Sequence, residues 1–272
     1  MTDPAIPEPG NRIRARWAGG EAAVAGWLQI PSALSAEALA HCGFDGLVVD
    51  LQHSPIDIAI ATAMFTAIEA GGAEPMARVA SNDAAEIGRL LDAGAYGIIV
   101  PAIETAQQAA AMAEAIHYPP VGQRSFGPRR PLLRYGAIYP SLVTQAVISF
   151  AMIETRAGLD NLDAILSAPG IDGIFIGPAD LALSLGAAPV ADSGDTRVAA
   201  AIRHIRERAH AHGRRAGIFC KDPGFASARI AEGFDFVSVA PDLALLMETS
   251  RNAVKSVREQ VDWRIWERAV DA

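Results

Sequence analysis

GFDGLVVD (43–50), GAYGIIVP (94–101), GIDGIFIG (170–177) and GFDFVSVA (233–240) repeat one phrase: a glycine, a short turn, then an apolar run. Three of the four follow an amphipathic helical pattern, in SAEALAHC, DAAEIGRLLDA and ASARIAE, and LDAILSAP precedes the fourth. Glycine at a helix end supplies the left-handed residue that stops the helix. The runs LVV, IIV, IFI and VSV are apolar without alternation, as strands covered on both faces must be. Working outward, AAVAGWLQI (22–30), PMARVA (75–80), VISFAMIE (147–154) and AGIFC (216–220) complete a set of eight strand candidates separated by helical segments. Alternating βα units predict a parallel sheet. Eight of them predict a closed (β/α)8 TIM barrel rather than an open sheet, with 1–272 forming one domain.

The 272 residues suit one such barrel, and 51% hydrophobic against 20% charged residues allows a large core. A net charge of −8 argues against nucleic acid or an anionic membrane as partner, although a local arginine or cation would still admit an acidic ligand. Cys42 and Cys220 alone make neither a disulfide framework nor a cysteine-rich metal site, and they fit a reducing compartment. MTDPAIPEPG lacks the basic start and apolar run of a signal peptide, so a cytoplasmic location is expected. Two regions depart from the βα pattern. HYPPVGQRSFGPRRPLLRYGAIYP (117–140) is a long Pro/Gly/Arg-rich connection, expected to follow a strand on the barrel's active face. The C-terminal stretch carries Trp263 and Trp266 among charges and reads as an amphipathic helix docked on its own barrel or on a neighbouring subunit.

In a barrel of this kind the chemistry sits at the C-terminal ends of the strands. The polar residues there are Asp50, Gln52, His53, Arg78, Glu154, Asp180 and Lys221. Glu154 and Asp180 close neighbouring strands, where two like charges would repel unless a divalent cation lay between them. Hard oxygen donors fit Mg²⁺ or Mn²⁺, with Co²⁺ admissible. The alternative for Asp180 is an N-cap of the helix that follows, and for Glu154 a surface acid. Asp50 and His53 are spaced for a His–carboxylate pair in which the acid orients the ring and the imidazole moves a proton. A histidine merely hydrogen-bonded at the rim is the alternative. Arg78 would bind a carboxylate or an enolate oxygen, or make an ordinary salt bridge.

VVDLQHSPID, ARVASND, LLDAGAYGIIVP, RSFGPRR, MIETRAGLDNLDAIL and GIDGIFIGPADLALSLG together resemble the HpcH/HpaI family of metal-dependent pyruvate aldolases, and its hydroxy-ketoacid aldolase branch in particular. The likeness runs in order from about Trp27 to Leu243. It implies a phosphoenolpyruvate/pyruvate-type barrel that makes or cleaves 4-hydroxy-2-keto acids from pyruvate or hydroxypyruvate and an aldehyde. It implies Glu154 and Asp180 as metal-binding acids, and His53 with Asp50 as the catalytic dyad. Arg78 would contact the keto acid, and the backbone at Gly177, Pro178 and Ala179 would cradle its carboxylate. It also implies a hexamer in which the C-terminal helix is exchanged between neighbours. Gln52 stands where many relatives carry an acid, and Met152 where they carry Gln, which bears on the aldehyde preference.

Two other lyase mechanisms compete. Lys221 ends the strand AGIFCK and would serve a Schiff-base aldolase; Lys255 is the chain's other lysine. A citrate-lyase-type enzyme acting on acyl-CoA would need basic residues for the CoA phosphates, and only the arginines of 124–134 offer them.

Overall fold

The computed structural model describes residues 10–192 and 194–260. Trp263 and Trp266 lie outside them. Eight parallel strands close on themselves: β1 (Ala23–Leu28), β2 (Gly46–Asp50), β3 (Glu74–Arg78), β4 (Gly97–Val100), β5 (Ile148–Ile153), β6 (Gly173–Ile176), β7 (Arg215–Phe219) and β8 (Phe236–Pro241). β8 pairs back onto β1. The helices are α1 (Arg12–Ala18), α2 (Ala33–Ala40), α3 (Ile58–Ala70), α4 (Ala84–Asp92), α5 (Ala106–Ile116), α6 (Arg129–Tyr135), α7 (Tyr139–Ala146), α8 (Arg156–Asp160), α9 (Leu162–Leu166), α10 (Pro178–Ser184), α11 (Thr196–Ala211), α12 (Pro223–Ala231) and α13 (Asp242–Gln260). The (β/α)8 barrel expected from the repeated phrase is the fold.

Each strand's alternation divides two apolar environments rather than apolar from polar. Val48 points into the barrel with Trp27, Met76, Ile99, Phe150, Phe175 and Phe236. Leu47 and Val49, on either side of it, face the helical ring. This is the period-2 geometry of a strand with no wet face, and it explains runs such as GLVVD.

The repeated phrase also builds the N-terminal face. Gly43, Gly94, Gly170 and Gly233 all take φ between 83° and 103°, so each turn needs glycine. In three copies an aspartate follows two residues later. Asp45, Asp172 and Asp235 accept backbone N–H groups of Val24, Ser149 and Ala216, at 2.8, 2.9 and 2.9 Å, from the strand before. Each also pairs with an arginine, respectively Arg16, Arg14 and Arg215. Helix α1, which the strand pattern did not forecast, closes this end of the barrel. Ile13 and Trp17 join the interior cluster, and Trp17 Nε1 donates to the Asp235 carbonyl at 2.8 Å.

The 117–140 connection is not on the active face, contrary to expectation. It follows α5, not a strand, and leads through α6 and α7 into the start of β5. Its arginines bind acids at the N-terminal end of the barrel. Arg124 donates to Asp92 at 2.7 Å, Arg130 to Glu69 at 2.5 Å, and Arg134 to the fully buried Glu74 at 2.8 Å. The physical reason is counter-charge: Glu74 opens β3 in an apolar setting and needs a cation beside it.

Candidate active site

Asp50, the last residue of β2, is fully buried. Its carboxylate accepts a two-pronged pair from Arg78, with Nε at 2.9 Å and Nη2 at 2.5 Å, across the β2–β3 register that sets the two residues side by side. Trp27 Nε1 adds a third donor at 3.2 Å, and the backbone N–H groups of Gln52 and His53 add two more at 3.0 and 3.2 Å. Burial alone would push the carboxyl up; the Arg78 fork and the other donors outweigh it and hold it below the usual carboxylate range. Asp50 therefore reaches His53 through the His53 backbone. No hydrogen bond joins the carboxylate to the imidazole, and His53 is exposed at the rim. The ring-orienting pair expected from the DLQH spacing is not formed in this arrangement, because Arg78 occupies the acid.

Arg78 is buried, and its guanidinium lies 4.9 Å over the Trp27 ring. Nε and Nη2 are committed to Asp50, which leaves Nη1 for a ligand. Trp27 in turn stacks on Phe175 at 5.7 Å and meets Phe219 edge-on at 5.3 Å. Sequence reasoning passed over Trp27 because a tryptophan in an apolar run reads as core. Its indole N–H, aimed at the end of the next strand, is the part that matters.

Glu154 follows β5 and is buried. Oε1 accepts the Ala102 N–H at 2.9 Å. A Cβ added to Gly177 would sit 2.5 Å from Oε2, so the absent side chain makes the space that oxygen occupies. Asp180 stands in the first turn of α10, exposed, and makes no cap hydrogen bond; the cap position belongs to Gly177. The N-cap alternative for Asp180 therefore fails. Burial pushes the Glu154 carboxyl up, the Ala102 N–H opposes that, the negative charge of Asp180 pushes it further up, and Arg78 draws it down. Two carboxylates close enough to repel, one of them buried, form a hard-oxygen donor pair with a charge deficit that a divalent cation satisfies. Among the described residues no group of three or more His, Cys, Asp or Glu side chains is arranged for a metal, so water and substrate would complete the coordination. The residues fit the ion.

Near the same rim Gln52 Oε1 and Ser54 Oγ are buried without hydrogen-bond partners, and such atoms commonly await a ligand or a water. Lys221 lies beyond the end of β7, half exposed, 3.4 Å from Asp192 and 3.8 Å from Asp222. Paired with two acids in solvent, it lacks the apolar pocket or neighbouring cation that would free its amine as a nucleophile.

Over residues 24–249 the sequence matches the family described as HpcH/HpaI aldolase/citrate lyase. The chain belongs to the HpcH/HpaI aldolase/citrate lyase family. It is 54% identical over 248 residues to a hydroxypyruvate/pyruvate aldolase of Rhizorhabdus wittichii, covering 91% of this chain and 99% of that one. A pyruvate aldolase of Rhizobium etli is 35% identical over 244 residues, 89% and 95% of the two chains. Among solved structures, an HpcH/HpaI aldolase/citrate lyase family protein from Burkholderia cenocepacia superposes with a TM-score of 0.83 at 31% identity, covering 91% of this chain and 99% of that one. Membership of this lyase family makes the chain an enzyme. Neither the Schiff-base nor the acyl-CoA alternative is favoured by the relatives' names. Among the described residues no helix is long and apolar enough to cross a membrane.

Proposed function

We propose that the chain is a divalent-metal-dependent aldolase that forms and cleaves 4-hydroxy-2-keto acids, with pyruvate or hydroxypyruvate as the keto acid and an aldehyde as the other partner. The observation that carries this reading is the buried Glu154 facing the charge of Asp180 beside the Asp50-held Arg78. Glu154 and Asp180 would hold Mg²⁺ or Mn²⁺, which when bound supplies Lewis-acid polarisation of the keto acid's carbonyl.

The chain's own groups do the remaining work. Arg78, locked by Asp50 and seated on Trp27, offers Nη1 to negative charge that develops on the keto acid as its C3–H or C3–C4 bond breaks. Because the fork to Asp50 fixes the guanidinium plane, that donor needs no reorganisation during the reaction. The start of α10 leaves the N–H of Ala179 free of any intrahelical partner, as every helix start does, and Gly177 and Ala179 would receive the carboxylate. Pro178 has no N–H and serves by its fixed φ. His53, exposed at the rim beside Asp50, would take the proton from C3 and return it. Trp27, Phe175 and Phe219 form an apolar floor that keeps water from the reacting carbon. Gln52 and Ser54 suit a hydroxylated substrate. The same reading takes 1–272 as one barrel domain in a cytoplasmic homohexamer, with its C-terminal helix exchanged between subunits.

The test is chelation combined with trapping. Removing divalent ions should abolish cleavage of a 4-hydroxy-2-keto acid, and Mg²⁺ or Mn²⁺ should restore it. Borohydride with pyruvate should leave the enzyme active, and Lys221→Ala should turn over normally. Full activity in the chelated protein would overturn the metal reading; inactivation by borohydride with pyruvate would move the chemistry to Lys221.

A further inference from the structure

Among the described residues Ala102 is the one non-glycine with positive φ, at 51°. An L-residue with a Cβ is disfavoured there, and such a conformation persists only where the surroundings over-determine it. Here they do. The next residue is fixed by Ile103 N–H donating to the Met152 carbonyl at 3.1 Å, with the Ile103 side chain buried. The Ile103 carbonyl lies so close to α8 that a Cβ on Gly158 would approach it to 2.7 Å. Asn161 Nδ2 holds the Glu104 carbonyl at 2.8 Å, and a Thr105–Gln108 capping box closes the turn into α5.

With Ile103 anchored, any change of φ at Ala102 swings the Pro101–Ala102 peptide. The N–H carried by that peptide is the one that meets Glu154 Oε1 at 2.9 Å. Glu154 is thus held from two sides: Oε1 by this donor, Oε2 by the gap at Gly177. We propose that Ala102 is a positioning residue, whose left-handed backbone keeps an N–H against Oε1 so that the buried carboxylate meets its cation in one fixed orientation. The inference rests on the metal reading above and adds to it the element that aims the ligand.

The direct test replaces Ala102 by lactate in the full-length chain, which turns the N–H into an ester oxygen and leaves the methyl side chain in place. Mn²⁺ binding without substrate is then read by the electron spin resonance of the free ion. Loss of one hydrogen bond to a charged group should weaken Mn²⁺ affinity about ten- to a hundredfold. Ala102→Gly and Ala102→Asn, which tolerate the left-handed region, should keep the wild-type affinity, whereas Ala102→Val should lose it. Should Ala102→Val fail to fold, the ester analogue decides the matter, since it changes no side chain. Wild-type Mn²⁺ affinity in a folded ester analogue would overturn the positioning role alone. An unmodified chain that bound no Mn²⁺ would overturn the metal reading and this inference together.

Discussion

Two carboxylates at this rim carry opposite electrostatic loads. Glu154 titrates above the ordinary glutamate range, so the folded chain binds that proton more tightly than the unfolded chain does. Metal-free stability therefore falls as pH rises through the Glu154 titration, and the cost is fully present above it. Glu154→Gln keeps an acceptor for the Ala102 N–H and removes the charge. It should stabilise the metal-free protein by roughly 1 kcal/mol, about 2 °C in Tm at neutral pH, while abolishing Mn²⁺ binding; paired calorimetric scans with and without Mn²⁺ check both. Asp50 titrates below the usual range, so its contribution is present above the unfolded-state carboxylate pKa and is lost as pH falls through its own lowered value. Asp50→Asn leaves Arg78 buried without a counter-charge and should cost about 3 kcal/mol in urea unfolding. Asp50, Arg78, Glu154 and Asp180 were legible in the sequence because a charge at the end of an apolar strand must be met by a counter-charge, a cation or a ligand. The use of Asp50 was not, because spacing alone cannot say whether an acid three residues from a histidine prefers that ring or an arginine on the next strand. Ala102 left no trace at all: nothing about an alanine in a loop announces a positive φ.

At the scale of elements, the turn from β6 into α10 sets the space around Glu154 and carries Asp180. Gly177 has an ordinary φ of −93°, so a side chain there is barred by space and not by backbone. Gly177→Ala would put its Cβ 2.5 Å from Glu154 Oε2 and 3.1 Å from Met152 Cε. The barrel should fold with a far-ultraviolet spectrum like that of the parent, while Mn²⁺ affinity and turnover fall at least about tenfold, as a displaced ligand requires. The same phrase, GID, ends in an aspartate whose work lies at the opposite end of the strand. That division was half visible. The glycines and apolar runs announce strands by composition, but Asp45, Asp172 and Asp235 bond to a strand that precedes them by one βα unit. Such partners appear only when neighbouring strands pair. The 117–140 segment misled for a similar reason. Arginine, proline and glycine mark a loop without saying which end of the barrel it serves, and the buried Glu74 that draws Arg134 sits 60 residues away in sequence.

At the scale of the molecule, α13 leaves the rim anchored by Asp242, which accepts the Gln29 and Ile30 N–H groups at 2.8 and 3.2 Å. Beyond that anchor an apolar stripe of Leu243, Leu246, Met247, Val254 and Val257 stands open to solvent, with Leu246 56% and Val254 50% exposed. A stripe at helical spacing needs a partner surface, and the proposed subunit exchange supplies one. Leu246→Glu with Val254→Glu should reduce the particle size in sedimentation velocity while each barrel stays folded; an unchanged sedimentation coefficient would place the helix on some other surface. The closed floor has a different reach. Because α1 stoppers one end with Ile13 and Trp17 and the aromatic rings fill the middle, reactants enter and leave through one door. In the proposed aldolase the keto acid, met by buried Arg78 and the start of α10, would bind before the aldehyde and leave after it. Initial-rate kinetics should then follow a compulsory queue, with a keto-acid analogue competing against pyruvate but not against the aldehyde.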